Sequence, residues 1–318
     1  MTNHRRYAYG FFVLLTLAVF LSLTKGSVAI PLSQLFSQEN RPILLLRLLR
    51  LLTAAIVGCG LSGCGVTLQA LLRNPLAEPY LLGTSSGAGL GAIIAILIGV
   101  SSLFLPWIAF VTAVLSMLLV YYLARQGSKI PATSLILSGV IVSILLSGVM
   151  VVLISTSPNE AMRGLSWWLW GSLQVYDPIL IALVSGVVLI GLCVIYFFAQ
   201  DLNAISLGEE EAIHLGIQTE SVKKILFFVV SFIVAALVSL CGIIGFVGLI
   251  IPHAARMIVG PNHKVLIPSA CLLGAVFMIF CDILCRTVSV PVEIPIGVVT
   301  AVIGAPVFII LLKRRQKI

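Results

Sequence analysis

Few residues in this chain have the type and spacing that chemistry requires. Cys281 and Cys285 lie one helical turn apart with Asp282 beside them, which could suggest a metal site, but small buried residues at a helix interface explain them better. His253 follows a proline, and a packed, hydrogen-bonded histidine is favoured there over a ligand. We therefore expect no catalytic centre, no metal and no bound cofactor.

Motifs of nucleotide chemistry are misplaced or missing. Gly58, Gly60 and Gly63 have the spacing of a dinucleotide-binding loop, but they lie inside an apolar helix rather than at a strand-to-helix turn. They instead favour close packing between transmembrane helices. The sequence contains no GxxxxGK[ST] loop that could cradle ATP, and no GxSxG or HExxH motif. We therefore do not expect an enzyme.

One charged stretch, Leu207–Lys224, stands out in a chain with only 9% charged residues. Its three consecutive acids suit the first turn of a short helix, and Ala212 and Leu215 would form an apolar side. Gly216 suits the end of that helix, and Thr219 suits the start of a second short one. Two short helices projecting from a membrane bundle would offer a binding surface, whereas an ordinary solvated loop is the alternative.

The elements that position these residues are membrane spans. The chain has 318 residues, 60% of them hydrophobic, and repeated apolar stretches near the length that crosses a bilayer. We predict an all-α, polytopic membrane helix bundle that forms one domain over residues 1–318. The start of the chain is interpreted as a retained first span. About ten spans fit, at 7–24, 51–72, 81–100, 106–124, 132–154, 179–199, 222–241, 244–259, 267–286 and 296–312.

The basic residues predict the orientation of these spans. They lie at the ends of apolar runs, which favours contact with membrane lipid over nucleic acid despite the net charge of +8. Six of the 19 lie on one side of the predicted bundle, and the remaining thirteen lie on the side of both termini. The positive-inside rule therefore predicts cytoplasmic N and C termini, with Leu207–Lys224 on the cytoplasmic side.

Three segments depart from the regular helical pattern. Arg73–Pro79 carries two prolines, and such backbone survives at membrane depth only where protein or a water-filled cavity satisfies it. Glycines in Gly242–Gly248 predict a bent, shortened pair of helices around that point. Ser155–Asp177 is amphipathic, and its three tryptophans suit a helix at the membrane interface.

A helix bundle without a catalyst but with a structured cytoplasmic surface suggests a transporter powered by a separate subunit. An ion-coupled secondary transporter is one alternative, although acids within spans are scarce. Asp282 is the main one, and an ion pair with Arg286 one turn away explains it as well as a proton relay would. A scaffolding membrane protein is the other alternative.

Six segments carry a resemblance to a known family, namely Arg47–Arg50, Gln69–Pro79, Leu82–Ala88, Gly208–Gly216, Gly245–His253 and Glu293–Pro306. Through them nearly the whole chain resembles the permease subunits of binding-protein-dependent ABC importers for iron chelates, haem and cobalamin. The resemblance implies ten helices per subunit, a homodimer or pseudo-dimer, two cytoplasmic ATPase subunits and an extracytoplasmic binding protein. It also implies the inner membrane of a bacterium or archaeon and a chelate as cargo, with a ferric siderophore favoured over haem or cobalamin.

The resemblance also implies roles for particular residues. Contact with the ATPase falls on Gly208, Glu209, Glu210, Ala212, Leu215 and Gly216. The cytoplasmic gate falls on Asn74, Leu76, Thr133 and Ser134. Docking of the binding protein falls on Arg47, Arg50 and Arg286. Leu49 stands where the family usually has proline, which implies a milder bend and a changed presentation of Arg50.

Overall fold

The computed structural model of the protein describes residues 2–26, 28, 37–127, 129–157 and 159–315. Across these ranges the chain is helical, with one isolated bridge between Gln126 and Lys129 and one short 3-10 helix, Pro79–Leu82. The α-helices are α1 (Thr2–Thr24), α2 (Arg41–Leu71), α3 (Thr84–Leu97), α4 (Leu105–Ala124), α5 (Ala132–Ser155), α6 (Asn159–Leu169), α7 (Pro178–Phe197), α8 (Ala199–Leu207), α9 (Glu209–His214), α10 (Thr219–Cys241), α11 (Val247–Val259), α12 (His263–Thr287) and α13 (Ile296–Arg315).

This architecture confirms the predicted all-α bundle. Six helices are long and apolar enough to cross a membrane, namely α2, α4, α5, α7, α10 and α12. Apolar parts of α1, α3, α11 and α13 are shorter, at 10–17 described residues each. The protein is therefore a multi-pass membrane protein, and the count of ten spans stays a prediction.

Helix α2 lies at the centre of the bundle, and glycines let its neighbours approach closely. A side chain at Gly58 would collide with the backbone of Gly274 in α12, and one at Gly65 would collide with the backbone of Gly248 in α11. The residues of α2 are buried almost continuously from Thr53 to Leu71. The predicted backbone-to-backbone packing is confirmed at Gly58, and Gly65 adds a second such crossing. Gly60 and Gly63 instead face side chains, those of Leu237 and Leu192.

Two short helices begin inside the bundle rather than at its ends. Helices α3 and α11 have 14 and 13 residues, so each is roughly 20 Å long and shorter than the apolar thickness of a bilayer. The irregular segments before them meet. The Tyr80 hydroxyl donates to the Ile244 carbonyl at 3.0 Å and accepts from the Ile244 amide at 3.1 Å. These bonds satisfy backbone groups that no helix satisfies.

Glu78 makes a second bond between the same two segments. Its carboxylate accepts from the Phe246 amide at 2.9 Å, at the start of α11. Burial raises the pKa of the Glu78 carboxyl, and the Phe246 bond opposes that rise by stabilising the anion. The predicted break at Gly242–Gly248 is confirmed, with α10 ending at Cys241 and α11 starting at Val247. Only α11 is short, at 13 residues, so the predicted shortening of α10, which has 23 residues, is wrong.

The tryptophan-rich segment forms a shorter helix than predicted. Helix α6 ends at Leu169, and the chain then continues without regular structure up to α7. The Trp170 carbonyl accepts from the Gly297 amide at 3.0 Å, and the Ser172 amide donates to the Cys241 carbonyl at 2.8 Å. Asp177 caps the start of α7. Residues 170–177 therefore connect α6 to three other helices instead of extending it.

Candidate coupling and gate site

Helices α8 and α9 form an arm, residues 199–216, that follows α7 and precedes α10. The predicted short helix over the acids is confirmed, because α9 has all three in its first turn. It ends as predicted, with Gly216 at a φ of 81°, a conformation that glycine adopts without strain. The second short helix predicted at Thr219 is wrong. Thr219 begins α10, which continues to Cys241 because no breaker interrupts its apolar run.

The arm carries large apolar side chains that the chain leaves uncovered. Leu207, Ile213 and Leu215 are 76%, 58% and 68% exposed. Ala212 is fully buried whereas Leu215 is exposed. The prediction that these two side chains form one apolar side of the helix is therefore wrong. A short solvated loop would not be expected to cluster exposed leucine and isoleucine in this way. The arm therefore has the character of a binding surface.

Polar contacts fix α8 to the start of α12. The Asn203 side-chain oxygen accepts from the His263 amide at 2.9 Å and lies 2.8 Å from its Nδ1. The Asn203 amide group donates to Asn262 Oδ1 at 3.2 Å, and Asn262 in turn caps α12. These bonds attach the first helix of the arm to the bundle, and the buried side chain of Ala212 packs α9 against it.

The four predicted gate residues lie in two turns. The Asn74 side chain accepts from the Leu76 amide at 2.9 Å, and Leu76 is 49% exposed. Thr133 and Ser134 lie in the first turn of α5, where the Ser134 hydroxyl accepts from Gln126 Nε2 at 2.9 Å. Both turns are therefore held by local side-chain bonds.

An open groove of about 780 Å³ brings one gate turn and the arm together. We name it the charged groove. Thr133 lines it directly, and Arg73, the neighbour of Asn74, lines it from the other turn. The first residues of α9 form the opposite wall. Its charged lining residues are Arg73, Lys129, Glu209, Glu210, Glu211, Glu220 and Lys223.

No role was predicted from the sequence for two residues of the charged groove, Glu220 and Lys223, although both lie in the charged stretch Leu207–Lys224. The Lys223 ammonium lies 2.6 Å from Glu209 Oε2 and 3.2 Å from Glu220 Oε1. The other Glu220 oxygen accepts from the Ile130 amide at 2.9 Å. The spacing of Glu220 and Lys223, three apart on a helix, was the available signal. The contact between Glu220 and Ile130 had no such signal in the sequence, because the two residues are 90 positions apart.

The three predicted docking arginines lie far from the arm, at the other end of α2 and α12. Arg47, Arg50 and Arg286, the arginine cluster, are 6%, 7% and 5% exposed. Arg47 donates to backbone carbonyls, including Leu23 at 2.6 Å and Val28 at 2.5 Å. The cluster is therefore folded into the bundle rather than displayed on its surface.

Two carboxylates neutralise much of this cluster. Asp282, fully buried, lies 2.5 Å from Arg50 Nε and 2.9 Å from Arg286 Nη2. The predicted local ion pair between Asp282 and Arg286 is confirmed. Glu293 Oε2 lies 2.8 Å from Arg50 Nη1 and accepts from Gln174 Nε2 at 2.7 Å. Three cations face two anions, which leaves one net positive charge. Docking by these arginines stays a prediction.

The sequence matches the FecCD transport family over residues 14–314. The cobalamin import system permease protein BtuC of Halobacterium salinarum is 39% identical over 272 residues, which cover 85% of this chain and 73% of that protein. The hemin transport system permease protein HmuU of Yersinia pestis is 33% identical over 324 residues, which cover 98% of this chain and 97% of that protein.

A solved structure supports the same relationship. It is described as an inward-facing conformation of a metal-chelate type ABC transporter, and it superposes with a TM-score of 0.88 at 34% identity. The match covers 98% of this chain and 99% of that one. None of these comparisons supports the ion-coupled secondary transporter. The chain belongs to the FecCD transport family and is a transmembrane permease subunit of an ABC importer, in which ATP hydrolysis takes place in a separate subunit.

Proposed function

We propose that this chain lines the path by which a metal chelate enters the cytoplasm of a bacterial or archaeal cell across its inner membrane. A ferric siderophore is the favoured cargo, with haem and cobalamin as alternatives. Cobalamin and haem appear in the names of the two relatives, BtuC and HmuU. The ferric siderophore is included because the sequence resembles permeases for iron chelates.

The observation that carries this proposal is the exposed surface of the α8–α9 arm. Leu215 and Ile213 lie uncovered beside three acids, and residues 207–211 of the arm line the charged groove together with Thr133. A cleft in a cytoplasmic ATPase would bury these apolar groups and pair the acids with basic residues. We assign contact with the ATPase to the surface formed by Glu209, Glu210, Leu215 and Gly216. Gly208 and Ala212, which were predicted to share this contact, are buried and would support α9 from beneath.

A second copy of the chain would complete the path. One face of α5 is uncovered, including Leu137, Ile144 and Val151. The same helix exposes Ser147 and Gly148, and nothing lies within 4 Å of the place where a side chain at Gly148 would begin. Small exposed residues let two transmembrane helices pack closely, which favours another helix over lipid at this position. The homodimer would then bind two ATPase subunits, one on each arm.

The gate and docking assignments follow from the same orientation. The sequence predicts that the arm lies on the side with thirteen of the 19 basic residues, which favours the cytoplasm for it and for both termini. Asn74, Leu76, Thr133 and Ser134 would then close the path from the cytoplasm. The arginine cluster would lie at the outer end, where its net positive charge suits acidic groups of a binding protein.

Reconstitution tests the proposal. The chain, its ATPase and its binding protein are placed in proteoliposomes, and uptake of a ferric siderophore, hemin and cobalamin is measured with ATP inside or outside the vesicle. We expect uptake of one chelate, only where ATP reaches the ATPase. Uptake that follows an ion gradient without ATP would instead support a secondary transporter. No uptake of any of the three would refute the proposed cargo class.

A further inference from the structure

We propose that Lys223 is a positioning residue that couples movement of α9 to the turn before α5, beside the charged groove. The proposal rests on the proposed function, because it takes α9 as the contact with the ATPase and the turns as the gate. It adds a physical connection between α9 and the turn before α5, made by Glu209, Lys223 and Glu220.

Lys223 joins two carboxylates that belong to different helices. Its side chain is 8% exposed, and its ammonium lies between Glu209 of α9 and Glu220 of its own helix. A buried ammonium is costly unless it is paired, so these two carboxylates are what keep Lys223 in place. Lys223 is therefore fixed by α9 as much as by α10.

Each of the two carboxylates uses its second oxygen on a different turn. Glu220 Oε2 accepts from the Ile130 amide at 2.9 Å, which holds the segment that leads into Thr133. Glu209 Oε1 lies 4.0 Å from Arg73 Nη2, next to Asn74. The contacts thus run from α9 through Lys223 to the turn before α5, and from α9 directly to the turn after α2.

The two branches differ in strength. Arg73 is half exposed and Glu209 is 31% exposed at the side chain, so their long contact is weakened by solvent and salt. The Lys223 branch is short and shielded, because the 2.6 Å contact with Glu209 is made by a buried ammonium. If α9 moves, Glu209 moves with it. The ammonium must then follow or remain buried without half of its compensating charge. We therefore expect the turn at Ile130 to respond more than the turn at Arg73.

The test uses Lys223→Met in the complete transporter, with Lys224→Met as the matched control. Lys224 is the next residue, carries the same charge and is exposed. Both changes are made in a background without native cysteines that carries Thr133→Cys, with a maleimide probe added from the cytoplasmic side. Three quantities are measured: retention of the ATPase, uptake per ATP hydrolysed, and the change in labelling rate of the introduced cysteine when an ATP analogue binds.

We expect Lys223→Met to retain the ATPase and to lose uptake per ATP by roughly tenfold, the size of a typical coupling between sites. The labelling response of the introduced cysteine to the ATP analogue should shrink by a similar factor. Lys223→Arg should restore most of both, since it keeps the charge. Lys224→Met should behave as the parent. A purely structural role for Lys223 would lower the amount of folded transporter without changing uptake per ATP.

Glu220→Gln supplies an independent variant if Lys223→Met is not inserted, because it removes one charge of the same link and leaves the Lys223 pair with Glu209. It should also shrink the labelling response. The proposal is overturned if Lys223→Met keeps the parental labelling response and uptake per ATP. If Lys223→Met does not insert into the membrane, the same result with Glu220→Gln overturns it. Failure of the proposed function gives a different result, because the parent itself would then show no ATP-dependent uptake and no labelling response.

Discussion

Replacing Leu215 with aspartate should weaken binding of the ATPase subunit by roughly tenfold or more, and the structure gives the magnitude. Full burial of a leucine side chain is worth about 2 kcal/mol. Leu215 is 68% exposed, so about two-thirds of that value, roughly 1.4 kcal/mol, is still available to an interface. A loss of about 1.4 kcal/mol corresponds to a tenfold change in Kd. The buried charge of the aspartate would add to this loss.

The assay is the affinity of the purified ATPase for the permease in nanodiscs, measured together with uptake. Gln218→Asp is the matched control, because it adds the same charge three positions later on an exposed residue and removes no apolar surface. Membrane insertion of both variants should equal that of the parent. If Leu215→Asp binds the ATPase with the parental Kd and transports normally, the arm is not the ATPase contact and the proposed role of α9 is refuted.

Three further outcomes are expected. Cysteines introduced in place of Asn74 and Thr133, in a background without native cysteines, should be labelled from the cytoplasmic side at rates that change when an ATP analogue binds. Constant labelling rates would show that neither residue belongs to the gate. Gly58→Ala should destabilise the protein by about 2 kcal/mol in thermal unfolding, since the new methyl group meets backbone, whereas Gly186→Ala, with nothing within 4 Å, should cost nothing. Equal melting curves would contradict the packing of α2. Glu293→Gln should speed association of the binding protein at low salt only, and equal rates at every salt would argue against docking at that end.

The helices could be predicted because a membrane limits the possibilities. A long apolar run favours a helix that crosses the bilayer, so the predicted bounds of α4 and α5 lie within one residue of the observed ends. The predicted span at 51–72 is wrong at its start, because α2 begins at Arg41. The breaks were also predictable, since Gly242 and the prolines of Arg73–Pro79 cannot continue a regular helix. Local chemistry was therefore enough to locate both irregular segments.

Contacts between distant segments could not be predicted. Tyr80 meets Ile244 across 164 positions, and Arg50 meets Asp282 across 232. Nothing in the pattern around either partner specifies the other, because many packings of the same helices would satisfy their apolar faces. The exposure of the arginines was unpredictable for the same reason. A cation near a helix end is exposed or buried according to whether an acid from another helix lies opposite it.

Burial of the arginine cluster restricts how a binding protein could use it. Asp282 lies between two arginines and is sealed from solvent, so an acid from outside cannot take its place. Glu293 is different, because its side chain is 21% exposed and holds the outer face of Arg50. Reversing Arg50 to glutamate would place a third carboxylate beside these two and would damage the fold before any docking could be measured. Docking through Arg50 therefore requires a partner's acid to replace or join Glu293, and the Glu293→Gln variant isolates that step because Asp282 still holds the arginine in position.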